Sequence, residues 1–107
     1  MTIIGQYEEL APGMGFKSMK EDFESGEYEE KEKIIDYLKN GHVHMVTASL
    51  VKDVFTGKQT DIEKIFMDDG SYSWCSSIIY YVDKYNLKLP KEFEEHILNS
   101  YDKIMPE

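Results

Sequence analysis

The chain has 107 residues, 41% of them hydrophobic, and its 21 acidic against 12 basic side chains leave a net charge of −9. That length fits one domain around one core. An acidic chain whose basic residues are all lysine is repelled by nucleic acid and by anionic membranes, and it lacks arginine's bidentate clamp, so neither is an expected partner.

In chain order, Thr2 to Leu10 reads as a short strand or an irregular arm, and Ala11-Pro12-Gly13-Met14-Gly15 interrupts any regular structure. Met1 to Gly5 has neither a basic region nor a long apolar run, so no signal peptide is expected. No apolar stretch is long enough to span a bilayer, and the single cysteine, Cys75, cannot close an internal disulfide. The expectation is a soluble, cytoplasmic protein. Phe16 to Ser25 reads as a loop or short helical turn.

Glu27 to Asn40 is predicted as the first helix. Ile34, Ile35 and Leu38, with Tyr28 or Lys31 a turn or two earlier, form its apolar stripe. Glu29, Glu30 and Glu32 sit where the helix dipole favours them, Lys39 near the other end, and Gly41 at the C′ position. Val43 to Ala48 alternates and is rich in β-branched residues, a strand that Leu50 to Phe55 extends after a kink. Thr56-Gly57-Lys58 is a turn. A hairpin follows: strand Ile62 to Met67, turn Asp68-Asp69-Gly70, strand Ser71 to Trp74. Asp69-Gly70 would supply the two positive-φ residues of a tight turn. Ser76 or Ser77 is placed to cap a helix running to about Asn86, with Ile78, Tyr81, Val82 and Tyr85 on one face. Pro90 opens the last helix, where Phe93, Ile97 and Tyr101 recur at helical spacing. The expected architecture is a single α+β domain over 1–107, with a small antiparallel sheet of about three strands and helices packed on one face.

None of the chemistry-bearing residues forms a catalytic or cofactor motif. His42-x-His44 would project two imidazoles to one strand face, with His96 or an acid as third metal ligand, but the pair alone reads more simply as half-exposed strand residues. Cys75 precedes a helix without a local base to activate it and is expected to be buried as a small apolar residue. Ser73, Ser76 and Ser77 lack the Gly-x-Ser-x-Gly setting of a hydrolase serine and suit capping. Asp61, Glu63, Asp68 and Asp69 surround one hairpin without the spacing of a calcium loop. No enzyme activity, metal or cofactor is expected.

What the residues do suggest is binding. The acids Glu27, Glu29 and Glu30 belong to the densest negative run of the chain, and Asp61, Glu63, Asp68 and Asp69 add a second group; both would steer a basic protein partner. Tyr72, Trp74, Tyr80 and Tyr81 cluster around the hairpin–helix junction. A small domain cannot bury four such rings with their polar atoms satisfied, so one or two, with Tyr72, Trp74 and Tyr80 as candidates, should surface as interface anchors.

Asp69-Gly70-Ser71-Tyr72-Ser73-Trp74, followed by Tyr80-Tyr81-Val82-Asp83-Lys84-Tyr85-Asn86-Leu87-Lys88-Leu89-Pro90-Lys91-Glu92-Phe93, resembles small acidic bacterial immunity proteins of contact-dependent growth inhibition and other polymorphic toxin systems. The likeness covers roughly the C-terminal two thirds. It implies a cytoplasmic protein that binds one cognate toxin domain, often a nuclease, and neutralises it. The alternatives are a small metal-binding or enzymatic domain using His42 and His44, or a regulatory or structural subunit that pairs through its sheet edge or last helix.

Overall fold

The computed structural model describes residues 1–104, with side chains through Tyr101. It is α+β. Four strands, β1 (Thr2–Ile3), β2 (His42–Lys52), β3 (Gln59–Asp68) and β4 (Tyr72–Cys75), lie in the order β1-β4-β3-β2. The sheet is mixed rather than wholly antiparallel, and it has four strands rather than three. The added strand is the two-residue β1, which runs parallel to β4 with Ile3 opposite Ser73. Three helices, α1 (Lys31–Lys39), α2 (Ser76–Tyr85) and α3 (Lys91–Ile104), complete the fold.

Helix α1 begins four residues later than the acidic run suggests. Glu30 takes a left-handed conformation at its N-cap, φ 63°, which breaks the helix ahead of Lys31 and leaves Glu27 and Glu29 in the preceding loop. Tyr28 is therefore off the helix stripe; its hydroxyl donates to Glu94 Oε2 at 2.7 Å and ties the loop to α3. Gly41 is not a left-handed cap. Its reason is close approach, because a Cβ there would lie 2.6 Å from the Trp74 ring.

Strand β2 is longer than its apolar run, and register shifts after Val43, Val46 and Leu50 mark its irregularities against β3. The β3–β4 turn differs from a two-residue positive-φ turn: only Gly70 has positive φ, 92°. Asp69 serves by its side chain instead, with Oδ1 accepting from the N–H groups of Ser71 at 2.9 Å and Tyr72 at 2.7 Å. At the other end of β4, Cys75 rather than a serine is the α2 N-cap. The Ser76 hydroxyl is used across the sheet: it accepts from Ile65 N at 3.0 Å and donates to Glu63 O at 2.8 Å. It thus replaces a strand partner where the Phe66–Cys75 pairing ends.

The core forms between the sheet and the helices. Met67 and Trp74, paired across β3 and β4, meet Leu38 of α1, Ile78, Tyr81 and Val82 of α2, and Phe93 and Ile97 of α3. Trp74 is 2% exposed and its Nε1–H donates to Leu38 O at 3.1 Å. The segment before α1 covers one end of this core. Glu9 fixes a single 3-10 turn, Met19–Asp22, by accepting from Ser18 Oγ and Met19 N, and Met19 is fully buried.

Candidate partner-binding surface

The helix layer does not roof the whole sheet. Strand β2 lies at the edge, and its Val43, Met45, Val46 and Leu50 are exposed. Beside this ribbon, between β3 and helices α1 and α2, runs a groove of about 410 Å³. Its floor is Ile65 and Met67 of β3, and its walls are Ile35 and Lys39 of α1 and Ile79 and Tyr80 of α2. Ile62 stands at its mouth, 37% exposed, and the carboxylates of Glu63 and Asp83 sit at its rim. Val43 and Val46 oppose Met67 and Ile65 across the ladder, so they extend the apolar floor outward.

One end of the groove is fixed by Lys31, one helical turn before Ile35. Its ammonium donates to Asp83 O at 2.8 Å and to Asn86 Oδ1 at 2.7 Å, joining the start of α1 to the end of α2. Exposed Glu29 and Glu30 immediately precede that lysine.

The α2 wall is held from inside the protein. Asp53, 2% exposed in the β2–β3 connection, accepts from Tyr80 Oη at 2.7 Å and Tyr85 Oη at 2.6 Å through Oδ2. Its Oδ1 accepts from the N–H groups of Phe55 at 2.8 Å and Thr56 at 3.1 Å. Burial works against the charged form, but these donors outweigh it and hold the carboxyl below its usual range. The same bonds, more than burial, push the Tyr80 and Tyr85 phenols up to about 12.

At the far end of β3 a second polar cluster surrounds Asp68 and Asp69. His44 Nδ1 is 2.8 Å and His42 Nδ1 3.8 Å from Asp68 Oδ2, while His96 Nε2 is 2.8 Å from Asp69 Oδ2, which also accepts from Tyr37 Oη at 2.6 Å. Burial would raise the Asp69 pKa, yet Tyr37, the two turn amides and His96 together lower it. All four acceptor positions of Asp69 are thereby occupied, so it is a joint between the turn, α1 and α3. The Asp68 carboxyl is held low chiefly by His44. His42 and His44 do share a carboxylate; among the described residues, however, no group of three or more His, Cys, Asp or Glu side chains is arranged to hold a metal ion.

The ten candidate binding residues therefore separate. Glu63 and Tyr80 line the groove, Asp61 is exposed two residues before Glu63, and Glu27, Glu29 and Glu30 are exposed ahead of α1. Asp68, Asp69 and Tyr72 belong to the distant turn, where Tyr72 packs on Phe93 with ring centroids 4.6 Å apart. Asp69 is a correction, because its oxygens are spent inside the protein. Trp74 is a second: its indole found a buried acceptor in the last turn of α1 and so needs no surface. Tyr81 is fully buried for the same reason, its hydroxyl donating to Lys52 O at 3.0 Å. Cys75 is half-buried rather than buried and lines a cleft on the opposite face of the sheet with Phe66, Lys64 and Ser73. Ile62, Ile79 and Asp83 were not among the sequence candidates, and Ile35, placed on the α1 apolar stripe, instead lines the groove. The signal available for Ile79 was its position beside the core-facing residues of α2.

Among the described residues no helix is long and apolar enough to cross a membrane. No family model matches this chain, and no curated protein or solved structure does.

Proposed function

We propose that the protein is a toxin-neutralising immunity protein of the cytoplasm, which binds a basic protein partner, a cognate toxin domain of nuclease type, and performs no bond-making itself. The observation that carries this reading is the apolar groove between α1, α2 and β3 with Glu63 and Asp83 at its rim. A basic surface, such as a nuclease uses to hold nucleic acid, presents lysine or arginine around apolar stems. The groove offers the matching arrangement: an apolar floor for a side-chain stem and carboxylates at the mouth for its charge. Asp61, two residues before Glu63, and Glu29, ahead of α1, add exposed negative charge that speeds the encounter, while Glu30 pairs with Lys33 at 3.3 Å. The tyrosine that surfaces here is Tyr80, whose ring forms part of the wall while its hydroxyl is bonded inward.

The test is to mix the protein with basic toxin domains encoded beside its gene and to measure affinity across a salt series. Binding should weaken as salt rises, mainly through the association rate. Glu63→Lys should weaken it further, and should reduce protection in a toxin assay. Absence of binding to every neighbouring toxin domain, or binding insensitive to both salt and Glu63→Lys, overturns the proposal.

A further inference from the structure

We propose that strand β2 is a homodimerisation edge: two copies pair β2 against β2 antiparallel across a two-fold axis, joining their sheets into one. Strand β2 spans His42–Lys52 and is bonded only on its β3 side. The opposite edge, β1, has two residues and offers no comparable ladder. An unpaired strand of this length presents a row of backbone donors and acceptors to any second strand, and proteins normally protect such edges with proline, charge or bulges. Here there is no proline, and the only lysine is at the end, Lys52. Register shifts occur in both halves of the strand, yet Met45 and Val46, in register with Phe66 and Ile65, remain 54% and 58% exposed.

Charge identifies the occupant. Two copies each carrying −9 repel unless they meet through a surface without carboxylates. From Tyr37 to Lys52 there is no aspartate or glutamate, the longest such run in the chain. A basic partner would gain no attraction from that run, which carries Lys39, His42, His44 and Lys52 instead of acids. An identical strand gains most: antiparallel pairing about a two-fold is self-complementary, so in the regular stretches of the strand the outward N–H groups of one copy meet the other's C=O groups without side-chain matching. The contact also covers Val43, Met45, Val46 and Leu50, apolar residues otherwise left in water. A standard interface takes roughly 800 Å² from each partner, a modest share of the 6789 Å² that one copy exposes. The second β2 would stand beyond Val43 and Val46 and close the outer side of each groove.

Light scattering on purified protein, over a concentration series reaching the high micromolar range, tests this. The expected mass is twice the 12.5 kDa of one chain, and Met45→Lys with Val46→Lys should return it to one chain while far-ultraviolet circular dichroism stays unchanged. Lys84→Glu, on the exposed side of α2, should leave the dimer intact. A single-chain mass throughout the series overturns the proposal, as does a dimer that survives the double substitution. Neither result depends on toxin binding, which Glu63→Lys reads separately.

Discussion

Gly41 and Trp74 are in such close contact that a single added carbon at Gly41 would overlap the indole, at 2.6 Å from Cζ2. The glycine leads from α1 into β2, and the ring beneath it is anchored to the last turn of α1 through Leu38 O. Gly41→Ala should therefore act as an overpacking change. A loss of about 1–3 kcal/mol is expected, read by chemical denaturation, with a shift in tryptophan fluorescence as the ring moves. A substitution without effect would mean that the crossing is looser than described.

Asp53 links the β2–β3 connection to α2, and its loss should loosen both. Asp53→Asn leaves two phenol donors without a charged acceptor and should cost roughly 2–3 kcal/mol. Tyr80→Phe and Tyr85→Phe should each cost less, and their double mutant should depart from additivity because they share one oxygen.

The same cluster sets an alkaline limit. A phenol whose pKa is raised by folding contributes stability below its unfolded value and loses it as pH rises through the folded one. For Tyr80 and Tyr85 that window runs from 10.0 to about 12. Melting temperature should fall across it, and Tyr85→Phe should flatten the fall. A wild-type curve as flat as the variant's contradicts the assignment.

On the acid side, Asp53 and Asp69 titrate below their usual range. Their contribution is complete above the unfolded pKa, about 3.9, and disappears as pH falls through the lower folded values. Unfolding should thus set in below about pH 4, and Asp69→Asn should weaken that dependence while detaching Tyr37 and His96. Thermal melts from pH 5 to pH 2 follow both.

For the groove, Ile62→Lys is expected to leave the melting temperature nearly unchanged, since the residue is 37% exposed, and to lower toxin affinity by tenfold or more. Trp74→Phe should do the reverse, destabilising the core without a direct effect on binding. Titration calorimetry with the toxin domain, alongside melts of each variant, separates the two.

The helices were legible because their apolar stripes matched the positions that became buried: Ile34 and Leu38, Ile78 and Val82, Phe93 and Ile97. Their starts were less so. Nothing in Glu30 announces a left-handed residue, and Ser76 looks like a cap while its hydroxyl is recruited by a strand two elements away. The aromatic cluster misled at Trp74 for a related reason, whereas Tyr81 was placed on the buried face of its helix. Counting rings tells how many polar atoms need partners, whereas the partners here are main-chain oxygens of Leu38 and Lys52, far off in sequence. The acids of the groove rim were partly visible as Asp61 and Glu63. The groove itself was not, because it exists only where α1 and α2, far apart in sequence, meet over β3.

Tyr80 belongs at once to the wall of the groove and to the interior carboxylate that grips it. A partner docking there, as proposed, would meet a shape settled before arrival and would surrender little motional freedom on contact. Residence time could then be tuned from within, by altering the grip at position 53 or 85, while every atom the visitor touches stays the same.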